Sequence, residues 1–548
     1  MEGGFVGKKY LLAAEADKIQ DFIFRSARLR EVAGGSMLLD RFCREVKKGL
    51  LSKKERPPEI VISDGGSFRL IFDNEADALA FGEELAEVYR LAAGGSLSVA
   101  GPVAYEEKDE FLQANKEAEK KLREAKRCRR GWQNTEQFPF LAYCSSCGSG
   151  LAKEYASSHD NERPAYLCAS CLAKSNERPL QKGEDFWGRF AMAIGVSEPN
   201  CVWPGQEKYR GRTECDPLED IADYDPRRYV AYLLADGNDL GRLFGKCTTT
   251  EQMLTLSDGL EEVMWSALAS PARMAMKYPP DKRDGFIPVY PLLLGGDDLF
   301  ALIPAPWALD FAAQFCREYE AGMQELLRRT GLPSLNGVMK PTVTAVVVIC
   351  KSNYPYTQAH RAGEALLKKA KQSSKMQAME KDDNFSAVDF EVITGSRMFK
   401  DEEEKKRIRP TLRPYRAGNN GTPEEWGKPV DLLIEQRKEL ISIPRRRLSQ
   451  LNELYEEQLL PEALQESELK PWRDRLGALL SRLVRQEELR AKVLNALKAM
   501  GDEEKNGYWF RVDRIDGESW HGHAMPDLLR IWDFALDLKV DPDDYEEE

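Results

Sequence analysis

Apolar and polar positions follow a pattern that occurs twice along the chain. Short apolar runs at 10–14 and 229–235 each read as a buried strand. A short acidic loop and a helix start follow both. Next, two apolar runs flank a Gly-Gly pair, at 59–72 and again at 289–303, which predicts a β-hairpin. Amphipathic helices are expected over 74–91 and 307–329. In the second, Phe311, Phe315, Tyr319 and Met323 recur every four residues, a stripe that faces a core. Single strands at 97–103 and 342–350 come next, and basic helices at 111–127 and 357–371 close the two units. The β-α-β-β-α-β-α order predicts a ferredoxin-like or palm arrangement, an antiparallel sheet with helices on one face. It is present in residues 8–127 and again in 228–371.

Outside the repeat the pattern changes. Residues 172–227 lack periodicity, and 216–228 is rich in Asp and Pro, as a linker is. A polar loop is expected at 372–386, a strand at 387–393, and a solvated segment at 401–409. From Pro429 onward apolar spacing turns helical, with helices expected at 430–441, 444–458, 468–485 and 486–500. Trp509, Trp520 and Trp532 add aromatic mass before an acidic tail at 541–548. The expected class is therefore α+β and multidomain. It comprises a first palm-like domain (1–139), an inserted module (140–180), a linker region (181–227), a second palm (228–424) and a C-terminal helical bundle (425–548).

Composition narrows the class. The 548 residues include 79 Lys+Arg and 91 Asp+Glu, a net charge of −12, with 42% hydrophobic and 31% charged residues. That is a globular mix, and the negative balance argues against a free-standing, non-specific duplex binder. Residues 1–9 hold no apolar signal core, and Pro304, Pro306 and Asp310 interrupt the apolar stretch 299–315, so a cytoplasmic chain is expected.

The 11 cysteines argue against a disulfide framework. Four of them form Cys144-Ser-Ser-Cys147 and Cys168-Ala-Ser-Cys171, two knuckles that close a tetrahedral zinc site of structural type. The other seven, Cys43, Cys128, Cys201, Cys215, Cys247, Cys316 and Cys350, read as small buried hydrophobes. His159-Asp160 reads as solvated loop, and His521-Gly-His523 as a turn beside Trp520. The basic stretch 120–130 reads as a helix with Leu122 and Ala125 buried, with contact to an RNA backbone left open.

The two units differ where chemistry would lie. Aligning the strands sets Glu15 opposite Asp236, and aligning the Gly-Gly pairs sets Ser67 and Phe68 opposite Asp297 and Asp298. Only the second unit therefore carries paired carboxylates. In a palm order the end of the first strand and the hairpin turn are neighbours, so Asp236, Asp297 and Asp298 should converge. Hard oxygen ligands of this kind select Mg²⁺ or Mn²⁺, usually shared with substrate phosphates. Gly295, Gly296 and Gly237 let a nucleotide approach the backbone, Asn238 offers an amide oxygen, and Lys368 and Lys371 offer point charges to a triphosphate.

These residues resemble the large polymerase/cyclase-like subunit of type III CRISPR effector complexes. The likeness rests on Asp17-Lys-Ile-Gln-Asp-Phe-Ile-Phe24 with Arg28 and Gly34-Gly-Ser-Met-Leu-Leu39, on zinc knuckles between two palms, and on Asp236-Gly-Asn-Asp-Leu-Gly241 and Gly295-Gly-Asp-Asp298. Tyr354-Pro355 with Leu366-Leu-Lys-Lys-Ala-Lys371, and Arg413-Pro-Tyr415, add to it. The resemblance spans about 8–415. It implies a subunit of a crRNA-guided complex that senses target RNA and converts ATP to cyclic oligoadenylate in the second palm. Asp297 and Asp298 would hold the metal ions, Asp236 would assist, and the first palm would be a non-catalytic partner. Implied partners are ATP, crRNA, target RNA, repeat-fold backbone subunits and small helical subunits that dock on the C-terminal bundle.

Two departures matter. Many members carry an N-terminal HD nuclease domain; here the first palm starts close to Met1 and the chain has only four histidines, so no HD nuclease activity is expected. Asn238 stands where the family often has a second Asp. Two alternatives stay open on residues alone: a non-catalytic structural subunit, and a stand-alone nucleotide cyclase or dinucleotide synthase outside CRISPR.

Overall fold

The computed structural model describes residues 8–26, 28–106, 110–128, 141–156, 164–177, 186–196, 201–205, 216–280, 283–332, 341–381, 385–394, 411–417, 428–456, 466–501, 510–513 and 519–542. The first unit runs β1 (Lys9–Ala16), α1 (Ile19–Phe24), α2 (Leu29–Glu45), β2 (Glu59–Asp64), β3 (Ser67–Phe72), α3 (Glu75–Ala93), β4 (Leu97–Val99), β5 (Val103–Tyr105) and α4 (Phe111–Cys128). Its sheet has the order β2-β3-β1-β4, with β5 also pairing β1, and every pairing is antiparallel. The chain signals are legible here: Asn74 caps α3 by accepting from the Ala76 amide at 2.8 Å, and Gly94, at φ 68°, ends it.

Between the units lie a small two-stranded ribbon, β6 (Glu154–Ala156) with β7 (Ala165–Leu167), and α5 (Ala169–Asn176); Cys144 and Cys147 sit in the turn before β6, Cys168 caps α5 and Cys171 lies in its first turn. Helices α6 (Phe186–Ile194) and α7 (Pro217–Ala222) follow. The Asp-rich and Pro-rich segment 216–228 differs from the open linker its composition suggests. Asp216 caps α7, Pro217 occupies its first turn, and Arg228 pairs with Asp223 and Glu219. The acidic residues there serve ion pairs, not solvation.

The second unit runs β8 (Tyr229–Gly237), α8 (Leu240–Phe244), α9 (Thr250–Ala275), β9 (Tyr290–Gly295), β10 (Asp298–Pro304), α10 (Ala308–Thr330), β11 (Val343–Lys351), α11 (Tyr356–Lys381), β12 (Ser386–Val392) and β13 (Tyr415–Ala417). Its sheet order is β13-β12-β11-β8-β10-β9. The segment β9-β10-β8-β11 repeats the order of the first sheet, and two further strands extend it beyond β11. β11 and β12 are parallel, so α11 is the crossover that parallel pairing requires. This is why α11 runs on to Lys381, through much of the segment expected to be a polar loop.

Phe311, Phe315, Tyr319 and Met323 are all buried on α10, as their spacing requires. The rings of Tyr232 and Phe300 stack across β8 and β10 at 5.5 Å and 14°. One continuous apolar core passes through both sheets into the C-terminal helices, while the cysteine cluster forms a separate small one.

Helices α12 (Asp431–Leu440), α13 (Arg445–Glu456), α14 (Glu466–Leu483) and α15 (Glu487–Ala499) fall close to their expected positions. A hairpin, β14 (Phe510–Asp513) with β15 (Ser519–Gly522), and α16 (Ala524–Ile531) complete the fold. Asp527 of α16 accepts from Thr411 Oγ1, the Leu412 amide and the Tyr415 hydroxyl at 2.6–2.9 Å, tying this end to β13. Trp520 and His521 lie in β15, not in the expected turn, because they pair with Val512 and Arg511; His523 is buried, caps α16 through the Met525 amide and stacks on Tyr455. Trp532 is buried in the core. His159, Asp160, Cys215, Trp509 and segment 401–409 lie outside the described residues. Among the described residues, no helix is long and apolar enough to cross a membrane.

Candidate active site

Asp236 is the penultimate residue of β8 and Asp298 begins β10, and the antiparallel register sets them directly opposite each other. Asp297 precedes Asp298 in the hairpin turn. The carboxylate oxygens of these three residues lie within 4.8 Å of one another. The turn and strand end are locked together: the Gly237 amide donates to the Asp297 carbonyl at 3.3 Å and the Asn238 amide to the Thr342 carbonyl at 2.8 Å.

Gly237 is required here. A Cβ on it would sit 2.5 Å from Leu240 Cδ1, 2.9 Å from the Tyr319 hydroxyl and 3.1 Å from Asp297 Cβ. Gly296, at φ 60°, occupies the left-handed region at the first turn position.

Burial and mutual repulsion govern the electrostatics. Desolvation, with the Asp236 charge next, pushes the Asp297 carboxyl up to about 6. Desolvation and then the Asp297 and Asp236 charges push Asp298 up to about 7. Glu364 of α11 is a fourth carboxyl nearby, raised by burial and then by Asp236. Lys371 is a positive group that faces all three aspartates; its ammonium pairs with Asp236 and donates to the Gly237 carbonyl at 3.0 Å. Lys368 stands exposed about one helical turn earlier on α11.

The register changes one expectation. In the first hairpin Gly65 and Gly66 form the two-residue loop and Ser67 pairs with Glu15. In the second, Gly296 and Asp297 form the loop and Asp298 pairs with Asp236. The counterparts are therefore Ser67 with Asp298 and Gly66 with Asp297, one position away from the alignment on the Gly-Gly pairs. The loop geometry, not the glycine pair, fixes the frame.

Asn238 also differs. It is buried, its amide nitrogen donates to Thr342 Oγ1 at 3.0 Å, and its oxygen accepts from Thr344 Oγ1 at 3.1 Å. Its amide braces β8 against β11, and it is not part of the acidic group. Gly295 pairs with Asp298 at the base of the turn and leaves open space around itself.

Two groups were not singled out in the sequence. Glu364 falls on an expected helix with nothing in its spacing to mark it. Tyr319 belongs to the core stripe, yet its hydroxyl reaches the underside of Gly237. That hydroxyl is fully buried and has no hydrogen-bond partner among the described residues. The three hard oxygen donors suit Mg²⁺ or Mn²⁺, and an orphaned hydroxyl behind them suits a ligand or water held in that group.

The second cluster is sulfur. Cys144, Cys147, Cys168 and Cys171 each offer a ligand atom within 4.8 Å of the others, the donor set of a structural zinc site. The amides of Gly150 and Cys171 point at Cys147 and Cys168 at 3.4 Å, as they do in knuckles holding thiolates.

Residues 229–380 match the family model for the second palm domain of Cas10/Cmr2. This is a Cas10-like chain. The matched segment contains the whole acidic group and Lys371, and the fold agrees with solved structures. A crystal structure of a Csm1–Csm4 cassette in complex with pppApApA is 15% identical with a TM-score of 0.55, covering 98% of this chain and 71% of that one. The cassette in complex with cA3 is 16% identical with a TM-score of 0.53, again covering 98% and 71%. Against the cassette with AMPPNP the figures are 17% and 0.44, with 67% of this chain covered, and there this Cas10-like chain spans 53% of the matched chain's length. No curated protein matches the sequence.

Proposed function

We propose that this chain is the large subunit of a type III CRISPR RNA-guided complex, and that its second palm makes cyclic oligoadenylate from ATP when target RNA is bound. The observation that carries this reading is the convergence of Asp236, Asp297 and Asp298 within 4.8 Å inside the Cas10/Cmr2-type palm. Solved Csm1–Csm4 cassettes of the same fold are in complex with pppApApA and cA3, which agree with a linear adenylate chain and its ring.

In this reading a 3′-hydroxyl of one nucleotide attacks the α-phosphorus of another. The hydroxyl gives up its proton to solvent as its P–O bond forms, the bond to the oxygen bridging to the β-phosphate breaks, and pyrophosphate leaves with the electron pair and the negative charge. Mg²⁺ or Mn²⁺ would lower the pKa of the attacking hydroxyl and balance charge on the pyrophosphate. Asp297 and Asp298 would hold the ions and Asp236 would assist. The raised affinity of Asp297 and Asp298 for protons means that they bind a cation best once both are ionised. Gly296 keeps a side chain out of the path of the phosphates, and Gly237 lets the end of β8 pack close beneath Asp297. Lys371, which balances Asp236 in the protein alone, and Lys368 would meet the triphosphate.

The first unit is proposed as a non-catalytic palm that helps close a second nucleotide pocket. A Cβ on Gly65 would lie only 3.6 Å from the Gly296 amide nitrogen, so the two hairpin turns face each other. The domain layout 1–139, 140–180, 181–227, 228–424 and 425–548, zinc at the four cysteines, a cytoplasmic location, and partnership with backbone and small helical subunits, crRNA and target RNA belong to the same proposal.

The test is incubation of the assembled complex with target RNA, ATP and Mn²⁺. Oligoadenylate should form and should disappear with Asp297→Ala/Asp298→Ala. Equal product from that double variant overturns the reading.

A further inference from the structure

Segment 22–26, from the end of α1, is held from two sides. On one side stands the cysteine module. Lys174 of α5 is buried, with its ammonium 4.2 Å from the Phe22 ring centroid; it donates to the Phe22 carbonyl and to Ser26 Oγ at 3.3 Å. The Ser26 hydroxyl also lies 3.8 Å from Cys171 Sγ, a member of the four-sulfur group. On the other side stands α11. The Tyr356 hydroxyl donates to the Ser26 carbonyl, and the His360 ring packs on Phe24 at 3.8 Å. Burial lowers His360 to about 4, so it is a neutral aromatic partner there.

Burying the Lys174 charge is costly, and it holds only because a carbonyl, a hydroxyl and an aromatic face converge on it. Its own backbone is equally fixed: a Cβ on Gly34 of α2 would come within 2.1 Å of the Lys174 carbonyl oxygen, so α5 presses directly on α2. The four sulfurs, α5, segment 22–26 and α11 thus form one unbroken path of contacts. α11 is the helix that bears Lys371 beside Asp236.

We propose that Lys174, Ser26 and Tyr356 are positioning residues of a strap, through which metal occupancy of the four cysteines sets the placement of the first turns of α11. The cysteine module is then more than a local staple, because it anchors the catalytic helix of the other unit. The strap rests on the reading of the cysteines as a zinc site, which elemental analysis checks separately.

The experiment is hydrogen exchange read by mass spectrometry on the full chain, without nucleotide, so its outcome does not depend on turnover. Stripping zinc with a chelator should speed exchange in peptides covering 19–26 and 354–362 by about tenfold, the size of a lost hydrogen bond or two. Peptides from 229–237 and 298–304 should stay protected. Lys174→Met, with zinc retained, should loosen the same two peptides. Tyr356→Phe should make 354–362 exchange fast with or without zinc, while 19–26 stays zinc-dependent. Unchanged exchange at 354–362 on stripping and in Lys174→Met overturns the strap, and so does equal loosening of all four peptides. If the purified chain carries no zinc, the cysteine reading fails, and the Lys174→Met and Tyr356→Phe arms still decide whether the segment couples to α11.

Discussion

The two sheet units share a strand order and a charge pattern, yet at the three matching positions one has three carboxylates and the other has Glu15 alone. At the end of β8, Asp236 pairs with Lys371 from α11; at the end of β1, Glu15 pairs with Lys126 from α4 at 2.6 Å. The closing helix therefore delivers a lysine to the first strand in both. The difference lies in the hairpin and in the residue after the acid. The first unit has Gly66 and Ser67 where the second has Asp297 and Asp298, and Ala16 where the second has Gly237. The first turn has no room for an acid: a Cβ on Gly66 would meet Ile19 Cδ1 at 2.9 Å and Ala16 Cβ at 3.0 Å. Space decided at two small residues separates the acidic turn from its counterpart in the first unit.

Breaking that difference should have its largest effect at Gly237. Gly237→Ala gives the second unit the methyl that Ala16 already gives the first; it must displace Leu240 and the Tyr319 hydroxyl, and it crowds Asp297. We expect Mn²⁺ affinity to fall by at least about tenfold and stability by about 1–3 kcal/mol, read by electron paramagnetic resonance and denaturant unfolding. Wild-type affinity in this variant would contradict the packing argument.

The next effect is one of pH. Asp297 and Asp298 hold protons more tightly in the fold than the ordinary aspartate value of 3.8, at about 6 and about 7. The stability this confers on the metal-free chain is present below the ordinary range and is lost as pH rises through 6 to 7. Thermal unfolding without metal should therefore shift downward across that window, and Mn²⁺ binding should strengthen across it. Asp298→Asn should flatten both trends. The first unit, with Ser67 at that position, should add nothing to the Mn²⁺ trend, although its buried Asp64, pushed up to about 6 by burial and then by the Glu261 charge, adds to the thermal one.

A smaller effect separates the two lysines. Lys371→Met removes a cation that competes for Asp236, so Mn²⁺ should bind the nucleotide-free chain more tightly, by several-fold. Lys126→Met breaks a half-exposed pair and should cost no more than about 1 kcal/mol, with no change in metal binding. Equal Mn²⁺ responses from both variants would erase the distinction drawn here. The smallest effect is expected from Ser67→Asp. With Gly66 unable to become an acid, the added carboxylate should leave the metal stoichiometry by calorimetry as it was.

Much of this was open to reading in one dimension. Buried strands and amphipathic helices follow from apolar spacing, because a face that must leave water writes its period into the chain. The duplication, the four cysteines at knuckle spacing, and Asp236, Asp297 and Asp298 were legible for the same reason: each depends on local spacing or on strand order. Tertiary structure decided what depends on neighbours far along the chain. The hairpin frame shifted by one residue because pairing with β8, not the glycine pair, sets the loop. Asn238 turned to Thr342 and Thr344 because a buried amide must satisfy its hydrogen bonds. Segment 216–228 folded because its acids found Arg228 and Arg283. The Tyr319 hydroxyl, the Glu364 carboxyl and the burial of Lys174 left no periodic trace, since each owes its place to a packing partner that sequence spacing does not encode.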